Sequence, residues 1–479
     1  MRSLRVLFVV PRSDEHSSRA AYPHVGIAYL TAVLKRHGVE VKIADMRLDD
    51  ESYLADTLRN FSPDLVGITT YSQFYQNAYK IIEIVKALGD YPVVIGGPHV
   101  SAILGKVLEE TKADFAVKRE GEYTCLELLE AIEKGNKSLN RIEGLIWRDG
   151  EKIVENPDRP FIQNLDLLPF PAYEDFELKR YLWHDLKRLP LLTSRGCPYS
   201  CIYCSIKLSH GRKFRARSPE NVVDEMEYWH ERGWTTFSIN DDCFTFDKGR
   251  AKRICDLIVE RNLKIRYTLY NGIRADRVDE ELLRKMKQSG CVLVQYGLES
   301  GNDQVLKTIK KGLTVGQVVE AVKMTNEIGI DNVVNFIIGH PSETYEKAME
   351  SIMLAKELPS SYVCVYNLVP YPGTELFEWI ERNATFNYPP EEYLRKISYG
   401  EKKPIFETKD FSTKERKKVL EKGFSLYRRR LLRFRFGRIK GFILYLLVGK
   451  SDFLWSRSLK LYESYIRAHA KNDIPRCRL

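Results

Sequence analysis

The sequence lacks the marks of a secreted or disulfide-rich protein. Its nine cysteines are an odd number, and only three of them are clustered, so they do not form a disulfide framework. The short apolar run Leu4–Val10 ends in Pro11 and polar residues without a small-residue cleavage site. That pattern indicates a first strand and not a signal peptide. Together these absences predict a reducing, cytoplasmic location.

Most of the chain also lacks excess positive charge, although the net charge is +10. Residues 411–479 contain 19 Lys and Arg against 5 Asp and Glu, a net charge of +14, so the other 410 residues sum to −4. The basic character therefore belongs to the C-terminal region alone. A length of 479 residues with 44% hydrophobic residues predicts two or three globular domains.

Residues 1–140 alternate buried-strand and amphipathic-helix patterns. Helix patterns such as Val25–His37, which stops at Gly38, separate short apolar runs. This alternation predicts an α/β domain with a doubly wound parallel sheet, whose ligand lies at the carboxyl ends of the strands. The predicted strands are Leu4–Val10, Val39–Ala44, Leu65–Thr70, Val93–Ile95 and Phe115–Val117.

Residues 141–185 are broken by several prolines and predict a connector with one hairpin around Arg148–Gly150. From residue 186 the strand–helix alternation resumes and continues to about residue 400. Six such units in series predict a partial (β/α)6 barrel with its chemistry at the C-terminal strand ends. The predicted strands are 191–195, 235–240, 265–270, 291–297, 332–338 and 362–369, and the helices between them are 219–232, 248–261, 279–289, 314–329 and 342–357.

Three cysteines follow the first strand of this second series within eight residues. Cys197, Cys201 and Cys204 have the spacing C-x3-C-x2-C, which lets one loop present three thiolates to one metal centre. A [4Fe–4S] cluster is normally held by four cysteines, so three leave one iron open. The alternative is a zinc site with Cys243 or His210 as a distant fourth ligand, but the second C-x2-C pair typical of zinc motifs is absent.

This loop, with Tyr203 directly before its last cysteine, resembles the signature of the radical S-adenosylmethionine (SAM) superfamily. Polar stretches at the following predicted strand ends are similar to the cofactor-facing rim of that family over about 180 further residues. In the family the open iron binds SAM, and reduction of the cluster cleaves SAM to methionine and a 5′-deoxyadenosyl radical. The resemblance implies that the three cysteines hold a [4Fe–4S] cluster. It also implies that SAM is contacted by Tyr203, Asp242, Arg274 and Glu299.

The strand ends of the first domain resemble the cobalamin-binding members of the same superfamily. The stretches that carry this resemblance are Thr69–Ser72, Gly96–Ser101 and Glu120–Glu122. Glycines at such positions let a ligand approach the backbone. The resemblance extends over residues 1–400 and implies cobalamin contacts from Thr69, Gly96, Gly97, His99 and Ser101. His16 is a candidate cobalt ligand, but Arg19 replaces the glycine of the known Asp-x-His-x-x-Gly motif, which favours a loop histidine.

The basic region, residues 401–479, is expected to be helical. Within residues 411–460, cations flank an apolar segment, Gly441–Val448, that is too short to span a bilayer. Basic residues beside apolar and aromatic ones can rest on an anionic membrane surface, so peripheral membrane contact is one hypothesis. A helical cap that packs on the barrel is nearly as well supported. RNA binding ranks last, because no RNA-binding module is recognisable.

The resemblance favours a cobalamin-dependent radical SAM methyltransferase that acts on an unactivated carbon of a small-molecule or lipid-like substrate. An external electron donor such as a flavodoxin or ferredoxin is then required. The main alternative is a radical cyclase of the same architecture without methyl transfer. A methylthiotransferase would need a second cluster, and the first domain has only Cys125. A non-catalytic cobalamin sensor or scaffold would have little use for an intact cysteine loop.

Overall fold

The computed structural model describes residues 3–12, 22–135, 138–181, 188–396 and 402–458. His16 lies outside the described residues, so its candidacy as a cobalt ligand stays a prediction. Two mainly parallel sheets organise the described chain, and they correspond to the two strand–helix series that the sequence predicts.

The first sheet has seven strands in the order β2-β1-β3-β4-β5-β6-β7. The strands are β1 (Arg5–Val10), β2 (Glu40–Asp45), β3 (Leu65–Thr69), β4 (Val93–Gly96), β5 (Phe115–Val117), β6 (Leu145–Asp149) and β7 (Lys152–Glu155). β1 to β5 are parallel, whereas β6 and β7 form an antiparallel hairpin on β5. The hairpin predicted around Arg148–Gly150 is therefore hydrogen-bonded to the first sheet.

Helices cover both faces of this sheet and bury its parallel strands. They are α1 (Val25–Arg36), α2 (Glu51–Phe61), α3 (Tyr75–Leu88), α4 (Pro98–Ile103), α5 (Lys106–Glu109) and α6 (Glu122–Glu133). Two buried clusters lie on opposite faces because successive side chains of β1 point to opposite sides: Val6 and Phe8 join one cluster, and Leu7 and Val9 join the other. Thr69 and Gly96, the last residues of β3 and β4, line a cavity that is described below.

The second sheet has six parallel strands in the order β15-β14-β13-β12-β11-β8. They are β8 (Arg188–Leu191), β11 (Thr236–Ile239), β12 (Arg266–Ile273), β13 (Cys291–Glu299), β14 (Asp331–Ile338) and β15 (Tyr362–Asn367). Within the described residues β8 and β15 do not pair with each other, so the sheet is an open, partial barrel. This confirms the predicted fold class.

The first barrel strand is earlier in the chain than the sequence pattern suggests. The prediction of 191–195 was wrong, because β8 ends at Leu191 and the chain then leaves the barrel. A short ladder follows instead, in which β9 (Ser194–Arg195) pairs antiparallel with β10 (Arg215–Ala216). The two-stranded ladder closes the base of the cysteine loop between them.

Helices on the outside of the barrel agree with the predicted positions within three residues. They are α8 (Pro219–Glu231), α9 (Lys248–Glu260), α10 (Glu280–Gln288), α12 (Val315–Ile328) and α13 (Tyr345–Glu357), with the shorter α7 (Ile206–Ser209), α11 (Asp303–Thr308), α14 (Glu375–Asn383) and α15 (Pro390–Lys396) at the rim. A capping box between Thr314 and Gln317 begins α12, and Gly329 in the left-handed conformation ends it.

The basic region packs on the last barrel strands through α16 (Thr413–Phe436), which buries Val419, Leu420 and Phe424 against the barrel core. A small ladder of β16 (Thr385–Phe386) and β17 (Phe406–Glu407) precedes it, and α17 (Arg438–Leu444) follows. Among the described residues, no helix is both long and apolar enough to cross a membrane.

Candidate active site

The cysteine loop lies at the C-terminal end of the barrel, between β9 and α7. Gly196, directly before Cys197, has φ +86°, and a Cβ there would lie 2.3 Å from the carbonyl oxygen of Lys213. Only glycine fits this turn. The Cys197 amide donates to the carbonyl oxygen of Gly211 at 3.3 Å, and the Ile202 amide donates to that of Ile309 at 3.2 Å. The loop is thus tied down at both ends.

All three cysteine side chains of the loop are half-buried. Backbone amides of Tyr199 and Ile206 donate to the sulfurs of Cys197 and Cys204, respectively. Amide hydrogen bonds to sulfur are among the interactions that stabilise thiolates bound to an iron–sulfur cluster. A rigid loop with three accessible thiols and amides aimed at the sulfurs fits a [4Fe–4S] cluster with one open iron.

A fourth thiol lies beside this loop. Cys243, which is buried after β11, hydrogen-bonds to Cys197 and lowers the pKa of Cys197 to about 7. No group of three or more His, Cys, Asp or Glu side chains converges on one metal ion within the described ranges. A cluster does not require this convergence, because each cysteine binds a different iron of the cluster.

Asp242 follows β11, at the edge of the loop. Its Oδ2 accepts from the Gly196 amide at 2.9 Å and hydrogen-bonds to His210 Nδ1 at 2.8 Å. The neighbouring Asp241 is buried and accepts hydrogen bonds from Thr193 and Ser194 at 2.5–2.6 Å. The two acids therefore hold the chain that enters the cysteine loop. Asp242 also faces the large cavity described below.

Arg274 reaches the cysteine loop from the end of β12. Its guanidinium lies 3.6 Å from the centre of the Tyr199 ring. It also donates to Asp276 and to the carbonyl oxygens of Lys311 and Gly312. Most of its N–H groups are thus engaged within the protein, and the guanidinium supports Tyr199 in the cysteine loop.

Glu299 and Tyr203 meet at a buried lysine that the sequence patterns did not single out. Lys311 Nζ donates to Glu299 Oε1 at 2.7 Å and to the Tyr203 hydroxyl at 3.3 Å. Burial lowers the pKa of Lys311, but the charge of Glu299 outweighs it and leaves the pKa raised. From the sequence alone, Lys311 would be taken for a solvent-exposed lysine between α11 and α12. Its partner, Glu299, lies at the end of β13 and leaves no sign in the sequence next to Lys311.

The two domains enclose a cavity of about 660 Å³. On the first domain it is lined by Thr69, Gly96 and Gly97, and on the barrel by His210 and Asp242. Of the four predicted SAM contacts, Asp242 lines this cavity. The other three, Tyr203, Arg274 and Glu299, do not line it and lie behind the cysteine loop.

The glycine pair at the end of β4 provides a backbone cradle at this cavity. Gly97 has φ +106°, and a Cβ there would lie 2.6 Å from the Thr70 carbonyl oxygen and 3.2 Å from Thr69 Oγ1. A side chain would fill the cradle. A wide cavity with exposed backbone at strand ends fits a large flat cofactor such as cobalamin.

His99 and Ser101 lie behind the cradle and do not line the cavity. His99 is buried, stacks on Tyr75 with ring centres 4.6 Å apart, and hydrogen-bonds to Ser72 Oγ at 3.0 Å. Burial lowers the pKa of His99 to about 4, so the ring is neutral. Ser101 Oγ accepts from the Arg119 amide at 2.9 Å. Both residues support the cradle from within the first domain.

The segment Glu120–Glu122 joins the two domains. Arg195, two residues before Cys197, donates to Glu120 Oε1 at 2.9 Å and to Glu122 Oε1 at 2.7 Å. Arg215 donates to both oxygens of Glu120. Burial raises the pKa of Glu120, but the two arginines outweigh it and hold the pKa below its usual value. These buried ion pairs fix the cysteine loop relative to the cradle.

Two family sequence profiles match the chain in the order of these domains. The B12 binding domain profile matches residues 16–129, and the Radical SAM superfamily profile matches residues 191–355. The solved structure of the radical S-adenosylmethionine methyltransferase TsrM from Kitasatospora setae, with cobalamin and a [4Fe–4S] cluster bound, has a similar fold. Its TM-score is 0.68 at 24% identity, over 80% of this chain and 78% of that one.

Curated relatives match nearly the whole chain. Uncharacterized methyltransferase PH0819 of Pyrococcus horikoshii is 34% identical over 88% of this chain and 92% of its own. Cytidylyl-2-hydroxyethylphosphonate methyltransferase of Streptomyces wedmorensis is 29% identical over 80% and 81%. Anaerobic magnesium-protoporphyrin IX monomethyl ester cyclase of Cereibacter sphaeroides is 27% identical over 82% and 66%. The chain belongs to the cobalamin-binding radical SAM enzymes, whose cofactors are a [4Fe–4S] cluster, SAM and cobalamin.

Proposed function

We propose that this enzyme methylates an unactivated carbon of a small molecule. The observation that carries the proposal is the shared cavity, which opens on one side to the glycine cradle and on the other to the rim of the cysteine loop. When bound, the cofactors supply a radical that removes a hydrogen atom from the substrate and a methyl group that replaces it. A substrate in this cavity would lie between the glycine cradle of the first domain and the barrel residues His210 and Asp242. Two methyltransferase relatives support the same activity.

The residues of the site have different roles: some are cluster ligands, some contact SAM or the substrate, and some hold these residues in place. Cys197, Cys201 and Cys204 hold the cluster. Asp242, whose carboxylate already orients His210 at the cavity wall, is a SAM or substrate contact. Lys311 pairs with Glu299 at the loop and leaves a carboxylate oxygen, Oε2, that can accept from the ammonium group of SAM.

The residues predicted to bind cobalamin likewise include direct contacts and supporting residues. Thr69, Gly96 and Gly97 line the cavity and would touch the cofactor directly. His99 and Ser101 hold the cradle in place. An external donor of single electrons, of the ferredoxin or flavodoxin class, would complete the cycle.

The test is anaerobic reconstitution with iron, sulfide and cobalamin, followed by incubation with SAM and a low-potential reductant. We expect 5′-deoxyadenosine from the radical step and S-adenosylhomocysteine from methyl supply, together with a product heavier by one CH2 group. Absence of 5′-deoxyadenosine would contradict the radical step.

A ring-forming reaction is the second candidate, because a cyclase is among the relatives. It predicts 5′-deoxyadenosine without stoichiometric S-adenosylhomocysteine and a product that gains no carbon. The ratio of the two SAM-derived products therefore separates the candidates.

We also propose that the segment after α16 rests on an anionic membrane surface. Between residues 437 and 457 seven large apolar side chains are exposed, among them Ile439 at 77%, Phe453 at 67% and Leu447 at 63%. Six exposed cations lie among or next to them in the sequence: Arg429, Arg433, Arg438, Lys440, Lys450 and Arg457. The hypothesis of a helical cap on the barrel applies to α16, which packs on the barrel core. The segment after α16, in contrast, exposes its large apolar side chains. A lipid-like substrate would then be taken from the membrane.

Co-sedimentation with vesicles tests the membrane contact. The full chain should bind vesicles that contain phosphatidylglycerol more tightly than vesicles of phosphatidylcholine alone, since each cation near an anionic surface contributes about 1 kcal/mol. A triple change of Ile439, Leu447 and Phe453 to Ser should abolish binding. Leu167→Ser, which alters an equally exposed side chain elsewhere, is the control. Equal sedimentation of the triple variant and the wild type would contradict the proposal.

A further inference from the structure

The cysteine loop has an outer side that does not face the cavity. Ser209 and His210, just after the loop, line the cavity, whereas residues 198–200, which lie between two of the cluster ligands, do not. Ser200 is exposed to solvent and Tyr199 is half-buried. On this side, therefore, only a thin layer of protein separates the three thiols from solvent.

Three cations lie around this outer side, and each is held by an uncharged partner. Arg212 donates to Ser200 Oγ at 2.8 Å, and Arg277 donates to the Tyr199 hydroxyl at 2.9 Å. Lys213 Nζ donates at 2.7 Å to the side-chain oxygen of a glutamine in the connector. Because a neutral partner leaves the charge of a cation in place, this surface stays positive.

Half-buried aromatic rings join these cations into one surface. The ring centre of Phe246 lies 6.2 Å from that of Tyr199 and 4.9 Å from that of Phe214, which follows Lys213 in the sequence. The Arg277 guanidinium lies 5.2 Å from the Phe246 ring centre. Aromatic residues and arginine are enriched where proteins bind each other. We call the following six residues the outer-loop surface: Tyr199, Arg212, Lys213, Phe214, Phe246 and Arg277.

The positive charge of the outer-loop surface is local, because residues 1–410 have a net charge of −4. Two acids next to this surface are already engaged. Asp247 accepts from the Arg250 amide at the start of α9, and Asp276 pairs with Arg274. A positive surface on a chain that is otherwise negative favours an acidic partner, since complementary charge steers association.

The enzyme needs single electrons from outside, and the geometry limits where a protein can deliver them. The inner side of the cysteine loop faces a cavity of about 660 Å³, which a small molecule can enter and a folded protein cannot. A protein donor must therefore approach from the outer side. Electron transfer slows steeply with distance, so the thin layer of residues 198–200 is the favoured point of approach.

We propose that the outer-loop surface docks a small acidic protein that carries one electron at low potential. One electron passes from the reduced donor to the oxidised cluster, and no bond forms or breaks. The inference rests on the proposed function only for its need of an electron, and it would hold equally for a ring-forming enzyme. Redox complexes of this kind have small interfaces and are short-lived, which agrees with a surface of six residues.

The test compares the variant Arg212→Glu/Lys213→Glu with Lys264→Glu/Arg266→Glu in the reconstituted enzyme. The second pair makes the same change of charge at the opposite end of the barrel, around the start of β12, where both side chains are exposed. The probe is a plant-type [2Fe–2S] ferredoxin, an acidic carrier of one electron, and surface plasmon resonance measures its binding without SAM.

At low salt we expect the dissociation constant of the ferredoxin to rise at least about tenfold for the first pair and to stay within about threefold for the second. The difference should disappear in about 0.5 M salt, because exposed charges are then screened. Wild-type affinity in the first pair, an equal loss in both pairs, or no binding by the wild type would overturn the proposal. Binding of single-stranded RNA in place of the ferredoxin would overturn it as well.

Reduction of the cluster, followed by electron paramagnetic resonance, shows whether the docking serves electron transfer. Reduction by the ferredoxin should be slower in the first pair than in the wild type. Photoreduced 5-deazariboflavin, a small reductant that needs no docking surface, should reduce the cluster equally in all three proteins. If the first pair does not fold, Arg212→Gln/Lys213→Gln removes the same charges, and wild-type affinity there would contradict the proposal. Neither measurement needs a substrate, so failure of methyl transfer would not affect the result.

Discussion

Replacement of Arg195 by Met tests whether the buried ion pairs between the domains hold the cysteine loop in place. Arg195 is 5% exposed and makes hydrogen bonds of 2.9 and 2.7 Å to Glu120 and Glu122. Removal of one partner from a buried ion pair typically costs about 3–5 kcal/mol, because the other charge is left unpaired. Glu120 keeps Arg215 as a partner, so the unpaired charge falls on Glu122.

A double-mutant cycle isolates this interaction. Arg195→Met should lower the free energy of unfolding by about 3–5 kcal/mol. Glu122→Gln in the same chain should recover about 2 kcal/mol, because it removes the unpaired carboxylate. Urea unfolding followed by tryptophan fluorescence measures both values. Arg212→Met, which alters an exposed arginine bonded to Ser200, should change stability by no more than about 0.5 kcal/mol.

The same variants report on function. Because Arg195 is two residues before Cys197, its loss should also reduce the iron and cobalamin that the chain retains after gel filtration. The reasoning would be refuted if Arg195→Met were within 1 kcal/mol of the wild type, or if Glu122→Gln gave the same loss in both backgrounds.

Three other predictions follow from single residues of the site and its surroundings. Cys204→Ala should reduce iron and sulfide content to background after reconstitution, whereas the buried Cys255→Ala should retain the cluster; equal iron content would contradict the assignment. Gly97→Ala should cost more stability than Gly38→Ala, because both have positive φ but only Gly97 lacks room for a Cβ, and loss of bound cobalamin on gel filtration should accompany it. Burial raises the pKa of Glu343 from 4.5 to about 7, so its contribution to stability is complete below about pH 4.5 and falls by about 3 kcal/mol as the pH rises to 7. Unfolding free energies of Glu343→Gln and the wild type at about pH 5 and 7.5 check this, and an unchanged difference between them would contradict it.

Much of the fold follows from periodicity in the sequence. Five of the predicted strands of the first domain and five of the six barrel strands coincide with observed ones, because buried parallel strands are continuous apolar runs. The first barrel strand was displaced, since Thr193 and Ser194 read as strand residues but are held outside the barrel by Asp241. Hydrogen bonds that are donated to an acid far away in the sequence leave no local pattern.

In the site, too, features set by neighbouring residues could be predicted from the sequence, whereas features set by distant residues could not. The three cysteines and Gly97 could be recognised because their spacing or their backbone conformation is a local property. Lys311 and Arg195 could not, because each acquires its role from a partner on another strand end or in the other domain. His99, which the sequence predicts to contact cobalamin, does not line the cavity and hydrogen-bonds to Ser72. A motif does not show which side of a loop faces a cavity.

The sequence by itself determined that this protein has a loop with three closely spaced cysteines at the head of a barrel, after a domain with glycines at its strand ends. Spacing and periodicity are sufficient for that, because the chain geometry of a loop or a strand is set by neighbouring residues. Only the tertiary structure decided that the two domains share one cavity and are joined by Arg195 and Glu122. It also decided that Lys311 is buried and pairs with Glu299 and Tyr203. Burial and long-range pairing depend on how separate elements pack, and no local pattern in the sequence records them.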